Sequence, residues 1–392
     1  MEILINKSFK YRIYPSKSQM STLENQFSMC RHLYNWNLAE RIEAYQRDGA
    51  TISYSQQQNK LPSLKEERPW YKSIHSQVLQ NVLHRLDVAY QAFFRRVKEG
   101  GVPGFPKFKK RGQWNSITYP QYRKRPTQSG VFVSKVGTIK IVYHWEIPEN
   151  SNIKTMTITK EAGKWFACFS VELPLKLEHK PEPLPPLGID MGLIDFYYDS
   201  NGDQVTIPKH YRQKEKQLKR LQRRLSRAKK GTKRYLKLLG ALQKCHYRVR
   251  CQRNDFLHKH ANDLLLKSDV IFHEDLAIKN MVRRPKPKQD DETGGYVPNG
   301  ASAKAGLNKS IGDAGWGSFF TFLTYKATYL GKQVIPVPPH YTSQICSACG
   351  KTVKKSLSTR THCCECGFTA NRDHNAALNI LRIGMDTLQA QA

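Results

Sequence analysis

The sequence has 392 residues, and its 64 Lys and Arg against 32 Asp and Glu give a formal net charge of +32. A folded protein with this surplus needs a polyanionic partner, and nucleic acid is the main candidate. No run of eighteen apolar residues is present and the positive charge is spread along the chain, which excludes a transmembrane helix and disfavours a membrane-surface protein.

The first 101 residues predict one strand and two amphipathic helices. The pattern of residues 8–14 predicts a strand, which Pro15 ends. Ser16 with Gln19 resembles a capping box and indicates the start of a helix. Apolar residues then recur at spacings of three and four, so a helical lobe packed around its own core is expected over 16–101. The two apolar stripes are Leu23, Phe27, Cys30, Tyr34 and Leu38, and then Leu79, Val82, Leu86, Ala89, Phe93 and Val97, before a stop at Gly100 and Gly101.

Residues 102–174 combine a basic segment with strand-like patterning. In 104–111, phenylalanines alternate with basic residues, which suits phosphate pairing and base stacking, although a solvated charged turn is the alternative. The candidate contacts are Lys107, Lys109, Lys110 and Arg111. A period of two from 131 to 173 predicts a β-rich module, a small barrel or wedge that includes the first strand in 1–15. The Pro-rich stretch 175–186 is predicted to be a stiff linker.

The second half of the chain predicts alternating strands and helices. Residues 187–190 and 269–274 are short apolar strands that each end in a carboxylate, and Asn201-Gly202 predicts a hairpin turn. Residues 209–259 form a strongly basic helical hairpin, either a clamp on a nucleic-acid backbone or a coiled-coil interface. We expect a mobile loop over 283–305. A helix over 316–330 and a strand over 334–337 follow.

Two C-x-x-C pairs near the carboxyl terminus indicate a metal site. In a reducing compartment four thiolates at this spacing predict one tetrahedral Zn²⁺ with a structural role, because four protein ligands close its coordination shell. The predicted ligands are Cys346, Cys349, Cys363 and Cys366. His362 and Cys364 are substitute candidates, but only Cys363 has the two-residue gap to Cys366. A glycine follows each pair, as expected where the backbone turns tightly around a metal.

Three acidic residues lie at the ends of predicted core elements. Asp190 and Glu274 each end an apolar strand, and Asp373 opens the last helix. Taken singly, each could cap a turn or pair with an arginine. In a protein that binds a polyanion, carboxylates at such positions can hold divalent cations against a phosphate, because Mg²⁺ prefers oxygen ligands and keeps several waters.

Several motifs in a fixed order resemble the TnpB proteins of insertion-sequence transposons, which are relatives of the type V CRISPR effectors. The resemblance covers nearly the whole chain. The motifs are YRIYP at 11–15, GFPKF at 104–108, GIDMG at 188–192, HEDL at 273–276, DAGWG at 313–317, the two C-x-x-C pairs and RDHNAA at 372–377. Relatives often have Asp where this chain has Asn371, but the Asp that follows Arg in that motif is present as Asp373.

The resemblance implies an α/β multidomain fold. An RNase H-like RuvC nuclease domain would occupy 187–345 and 367–392, with a zinc ribbon inserted at 346–366. An N-terminal β-barrel wedge would comprise 1–15 and 102–174, with the helical recognition lobe at 16–101 between these segments.

The resemblance also implies an RNA-guided DNA endonuclease. Asp190, Glu274 and Asp373 would be the catalytic residues and would bind two Mg²⁺ ions, with Mn²⁺ as a substitute. The partners would be a guide RNA from the transposon end and double-stranded DNA next to a short flanking motif. We therefore expect a cytoplasmic protein at the bacterial nucleoid.

Two questions stay open from the sequence. Tyr54, Gln58 and Gln80 are candidates for contact with the flanking motif, since Gln can bridge an adenine edge, but surface glutamines are the simpler explanation. A nuclease-inactive RNA-guided repressor and a compact CRISPR-associated effector are the alternative functions. The first would be expected to lack one of the three carboxylates, and a neighbouring repeat array would identify the second.

Overall fold

The computed structural model describes residues 2–176, 182–356 and 358–390. The chain divides into two compact units, Met1–Lys176 and Leu177–Ala392. The predicted linker at 175–186 falls at this division. Its first two residues belong to the last strand of the first unit, and 177–181 lie outside the described residues.

The first unit contains one antiparallel sheet of six strands. They are β1 (Glu2–Tyr14), β2 (Ser116–Pro120), β3 (Val131–Val133), β4 (Gly137–Ile141), β5 (Asn152–Glu161) and β6 (Lys164–Lys176), in the order β2-β5-β6-β1-β4-β3. β1 begins six residues before its prediction, because its backbone pairs with β6 from Glu2 to Ile13. The order is open, with β2 and β3 at the edges, so the pairing of the described strands does not by itself close a barrel.

The helices of the first unit pack on this sheet. They are α1 (Lys17–Asp48), α2 (Tyr54–Asn59), α3 (Leu61–Glu67), a 3-10 turn (Pro69–Ser73) and α4 (Ser76–Lys98). The capping box at Ser16 and Gln19 is confirmed, and the whole predicted stripe of α1 is buried. The stripe of α4 is buried only as far as Leu86, and Val97 is exposed, because only the first part of α4 packs into the core.

The second unit has a mixed sheet of five strands and two short hairpins. The strands in chain order are β7 (Leu187–Met191), β8 (Asp195–Asp199), β9 (Gln204–Thr206), β10 (Val270–Glu274), β11 (Lys288–Gln289), β12 (Tyr296–Val297), β13 (Gln333–Val337), β14 (Thr361–Cys363) and β15 (Thr369–Asn371). The sheet order is β13-β10-β7-β8-β9, in which β10 is parallel to both β7 and β13, and β7, β8 and β9 are antiparallel.

The described residues of the second unit form six helices. They are α5 (His210–Ser226), α6 (Lys233–Lys267), α7 (Ile278–Met281), α8 (Ala301–Ala314), α9 (Trp316–Tyr329) and α10 (Arg372–Gln389). The basic hairpin is formed by α5 and α6, and α6 continues to Lys267 because its last turns bury Leu264 and Leu265 in the core. The segment 283–305, for which a mobile loop was predicted, contains the β11–β12 hairpin and the start of α8. None of the described helices combines the length and the apolar character needed to span a membrane.

Candidate metal centres

Asp190 and Glu274 lie on neighbouring strands of the five-stranded sheet. β7 and β10 are parallel, and Ile189 on β7 lies opposite His273 on β10. Continuing this register by one residue brings Glu274 beside Asp190, and residues opposite each other in a sheet point to the same face. The sheet order therefore brings together two carboxylates that are 84 positions apart in sequence.

Helix α10 brings the third carboxylate, Asp373, to the same face. The helix approaches the sheet closely at two glycines. A Cβ at Gly188 would lie 2.3 Å from the carbonyl oxygen of Ala377, and a Cβ at Gly384 would lie 2.2 Å from the ring of Phe272. Because both side chains are absent, α10 can lie directly on β7 and β10 with its first turn at the acidic ends of these strands.

Asn371 has a defined role at the start of α10. It is the N-cap residue, and its Oδ1 accepts a hydrogen bond from the Asp373 backbone N–H at 2.8 Å. This contact satisfies one of the free N–H groups of the first turn, where an acidic side chain is also favoured by the helix dipole. The residue that departs from the pattern of the relatives thus helps to fix the backbone of Asp373.

The electrostatics of the three carboxylates reflect their proximity in the structure. Burial raises the pKa of Asp190 well above its ordinary value, the negative charges of Glu274 and Asp373 raise it further, and Arg372 opposes them. Burial also raises the pKa of Glu274, against a hydrogen bond from Thr342 that lowers it. Carboxylates that disfavour each other's ionisation gain most from a cation placed between them, so this donor set fits a divalent metal.

The ligand oxygens of the acidic trio do not all lie within 4.8 Å of one another. Among the described residues, one group alone has three or more His, Cys, Asp or Glu ligand atoms all within 4.8 Å of one another, and it consists of cysteines. The oxygens of the acidic trio are thus spread more widely than that limit. Room for water or substrate oxygens between the carboxylates is a property of catalytic Mg²⁺ sites.

Four cysteine sulfurs form the second candidate centre, which consists of Cys346, Cys349, Cys364 and Cys366. The Sγ atoms of Cys346 and Cys366 are 3.8 Å apart, and those of Cys349 and Cys364 are 3.5 Å apart. A zinc tetrahedron with bonds of about 2.3 Å has sulfur–sulfur edges of about 3.8 Å. Burial opposes ionisation of Cys346, but the backbone N–H groups of Cys349 and Ala348 and a hydrogen bond with His362 lower its pKa to about 6. A backbone hydrogen bond with Phe368 lowers the pKa of Cys366, but hydrogen bonds with the neighbouring cysteines raise it to about 12. The geometry of this cluster therefore fits a metal, whereas its acidity is divided between the thiols.

The structure groups Cys364, rather than the predicted ligand Cys363, with the other three sulfurs. Cys363 is the last residue of β14, where it pairs with Thr369 and its side chain is exposed. The next residue, Cys364, begins a tight turn that is closed by hydrogen bonds from its N–H to Phe368 and from Gly367 to its carbonyl. His362, the other substitute candidate, is not one of the four grouped ligands, but it is buried beside them, where it is hydrogen-bonded to Cys346 and through Nδ1 to Lys355.

The nucleic-acid candidates in the first unit differ in exposure. Lys107, Lys110 and Arg111 are exposed, whereas the backbone of Lys109 is fixed to α1 by two hydrogen bonds with the side chain of Asn35, at 2.8 and 3.0 Å. This anchoring argues against a freely solvated turn.

The three candidates for the flanking motif lie on α2 and α4. Tyr54 is half-buried at the start of α2, where its ring meets His84 edge-on at 6.0 Å. Gln58 and Gln80 are partly exposed on α2 and α4. The neighbouring Gln57 is fully buried and hydrogen-bonded to Arg41, so not every glutamine of this region is available to a ligand.

Two features of the acidic site were missed from sequence. Thr342, which donates a hydrogen bond to Glu274, lies in a segment without any distinctive pattern. Gly188 did carry a signal, since a glycine inside an apolar strand often marks the close approach of another backbone.

Three family models match parts of the chain. They are described as "Probable transposase" over residues 166–284, "Cas12f1-like, TNB domain" over 316–380 and "Helix-turn-helix domain" over 1–50. Residues 1–50 in this structure form β1 and one continuous helix, α1, rather than two helices joined by a turn.

Relatives of this chain extend the match to its full length. "Putative RNA-guided DNA endonuclease InsQ" of Escherichia coli (strain K12) is 32% identical over 96% of this chain and 92% of its own length. "TnpB-like protein L79" of Acanthamoeba polyphaga mimivirus is 27% identical over 50% of this chain and 37% of its own. A solved structure, "Cryo-EM structure of the Cas12f1-sgRNA-target DNA complex", is 16% identical with a TM-score of 0.33, and the match covers 96% of this chain and 99% of that one.

Proposed function

The chain belongs to the TnpB family of transposon-encoded proteins, and from this premise we propose that it is an RNA-guided DNA endonuclease with a two-metal RuvC mechanism. The convergence of Asp190, Glu274 and Asp373 on one face of a mixed five-stranded sheet is the observation that carries the proposal. The mixed sheet with α10 across it supports an RNase H-like fold for the second unit. The name of the Escherichia coli relative supports the same activity.

In the proposed mechanism, Asp190, Glu274 and Asp373 would hold two Mg²⁺ ions. The ions would supply an activated water and charge stabilisation for the leaving oxygen. The part of the protein is to hold the three carboxylates at the correct spacing. β7 and β10 fix Asp190 and Glu274 on a rigid sheet, and the N-cap at Asn371 fixes Asp373 at the first turn of α10.

The cysteine cluster is proposed to bind one structural Zn²⁺. Four sulfur ligands leave no open coordination position, so this ion would contribute folding energy rather than chemistry. The cluster is attached to the helix that carries Asp373, because the backbone N–H of Ser347 donates to Oδ1 of Asn375 at 3.0 Å. Zinc would thereby stabilise the surroundings of the acidic site.

The proposed partners are a guide RNA from the transposon end and double-stranded DNA next to a flanking motif. Base pairing would supply sequence specificity, while the protein contacts backbone and shape. The basic hairpin α5–α6 and the segment 104–111 are the proposed backbone contacts, with Tyr54, Gln58 and Gln80 as candidates for the flanking motif. Cleavage of chromosomal DNA would place the protein at the bacterial nucleoid.

The two alternative functions differ from the proposal in testable ways. A nuclease-inactive repressor is disfavoured because all three carboxylates are present and meet in one place. A compact CRISPR-associated effector would share the chemistry and differ in the source of its guide. The likeness to the Cas12f1 complex has a TM-score too low to favour that alternative.

The test is plasmid cleavage by protein that has been stripped of RNA and shown to remain folded. Cleavage should require an added transposon-end RNA, a matching target with its flanking motif, and magnesium. Asp190→Ala should bind the matched target without cutting it. Equal cutting with and without guide would leave a general nuclease, and guided binding without cutting by the unaltered protein would favour the repressor.

A further inference from the structure

Thr342 makes a direct contact with a proposed metal ligand. This residue lies between β13 and the first cysteine of the cluster, and it is buried. Its Oγ1 donates a hydrogen bond to Oε1 of Glu274 at 2.6 Å. From this contact we infer that Thr342 is a positioning residue for Glu274, an inference that rests on the proposed nuclease function.

The chemistry of the contact suits a residue that supports a metal ligand. A hydroxyl that donates to one carboxylate oxygen leaves the lone pairs of the other oxygen for a cation. Such partners fix the orientation of a ligand, and their loss typically weakens metal binding. Glu274 is the last residue of β10, so the strand fixes its backbone, and Thr342 restricts its side chain.

The backbone of Thr342 is itself fixed by α10. The buried side chain of Asn379 donates from Nδ2 to the carbonyl of Thr342 at 2.9 Å and to that of Ile345 at 2.7 Å. Asn375, one turn earlier on the helix, donates from Nδ2 to the same Ile345 carbonyl at 2.8 Å. Both asparagines are fully buried, where a polar side chain without these partners would be costly.

The segment 342–347 therefore connects the two candidate metal centres. One end holds Glu274 through Thr342, and the other end contains Cys346 of the cysteine cluster. The helix that fixes the segment through Asn375 and Asn379 begins at the turn that carries Asp373. The orientation of Glu274 thus depends on the segment that leads into the cysteine cluster as well as on the sheet.

The test compares three full-length variants loaded with guide RNA. Thr342→Val removes the hydroxyl and keeps the branched shape, and Thr342→Ser keeps the hydroxyl. Thr328→Val is the matched control, because this exposed threonine donates only to the Thr324 carbonyl of its own helix among the contacts described. The measurements are Mn²⁺ affinity by calorimetry, the Mg²⁺ concentration for half-maximal cutting, target binding and the thermal unfolding midpoint.

We expect Thr342→Val to weaken Mn²⁺ binding by about 10- to 100-fold, the usual effect of losing such a supporting contact, with a matching rise in the Mg²⁺ requirement. Target binding should not change, and Thr342→Ser should restore metal affinity. Mn²⁺ affinity equal to that of the unaltered protein in Thr342→Val would overturn the inference. If the Thr342→Val protein has a lower folded fraction, the Thr342→Ala protein is compared with the Thr342→Ser protein instead. Failure of the unaltered protein to cut would instead count against the proposed function.

Discussion

The cysteine cluster and the acidic trio differ in how the chain assembles them. The cysteines are contributed by two tight turns of a single small region, and their sulfurs already stand at the spacing of a zinc tetrahedron. The carboxylates come from two strands and a helix, and they are spread more widely. The first site is built by local backbone hydrogen bonds, whereas the second exists only when the sheet and α10 have packed together.

The difference reflects what each site does with its metal. A structural ion is bound by a closed set of ligands, so a preformed tetrahedron is sufficient. A catalytic site must leave positions open for water and phosphate oxygens, and it therefore keeps carboxylates together that repel one another. Removing a carboxylate should accordingly abolish DNA cleavage. Removing a cysteine ligand should instead lower the stability of the folded protein.

The largest expected effect is the loss of cleavage when a member of the acidic trio is removed. Asp190→Ala, Glu274→Ala and Asp373→Ala should each lower the cutting rate by roughly 1,000-fold or more, because metal-ion stabilisation is worth several kcal/mol. Guided target binding should remain. Asp386→Ala, an exposed carboxylate on the same helix as Asp373, is the control and should cut normally. A fully active Glu274→Ala protein would remove Glu274 from the mechanism.

The next effect distinguishes the two adjacent cysteines. Cys364→Ser should lose zinc, which elemental analysis of the purified protein would detect, and should lower the yield of folded protein because metal binding contributes folding energy. Cys363→Ser should retain one zinc per chain, since its side chain is exposed outside the cluster. Zinc retained in Cys364→Ser and lost in Cys363→Ser would reverse this assignment.

The sequence predicted the types of ligand better than the exact residues. Paired cysteines followed by glycines predicted a zinc site, and the two-residue gap selected Cys363, whereas the structure groups Cys364 with the other three sulfurs. That choice depends on where β14 ends and the turn begins, and strand ends are set by pairing with β15. A shift of one residue reverses the face to which a side chain points.

The acidic residues were predicted from their positions, whereas their meeting was implied only by the family resemblance. Strand ends and a helix start identified Asp190, Glu274 and Asp373 as candidates. Their proximity depends on β7 and β10 being neighbours and on the close approach of α10 at Gly188 and Gly384. Those contacts join residues far apart in sequence, and the local periodicity of the sequence does not reveal them. The same limit explains why the β11–β12 hairpin and the last turns of α6 were not predicted.

The close approach of α10 can be tested without touching a metal ligand. Gly384→Ala would place a Cβ 2.2 Å from the buried ring of Phe272, so α10 or the ring must move. We expect a loss of about 1–3 kcal/mol in the free energy of unfolding, as for other overpacked cores. Because Asp373 is on the same helix, cutting should also slow.

The control for this change is Gly240→Ala, in the middle of α6, where an added Cβ has no neighbour within 4 Å. Alanine is favoured over glycine inside a helix by about 1 kcal/mol, so the control should be neutral or slightly stabilising. Chemical denaturation of both variants measures the difference. Equal stability of the two would mean that α10 does not depend on the missing side chain.

The smallest expected effect is a gain in stability when the repulsion in the acidic trio is relieved. The pKa of Asp190 is raised in the folded protein, so the folded state holds a proton that the unfolded state releases first. The stability of magnesium-free protein should therefore fall as the pH rises from about 4, the ordinary pKa of Asp, through the raised pKa. Asp190→Asn removes the ionisable group and should flatten this part of the pH profile.

At neutral pH, Asp190→Asn should stabilise the magnesium-free protein by on the order of 1 kcal/mol, as is common where a strained functional site is relaxed. Denaturation midpoints measured across the pH range, without magnesium, test the sign. Added Mg²⁺ should reverse the order of the two proteins, because only the unaltered site keeps all three carboxylates and ligand binding stabilises the folded state. A magnesium-free Asp190→Asn protein less stable than the unaltered one at neutral pH would show that the trio does not strain the fold. The fold would then keep the three carboxylates together without a cost in stability even when no cation is bound. In that respect they would resemble the cysteine sulfurs, which local turns bring together.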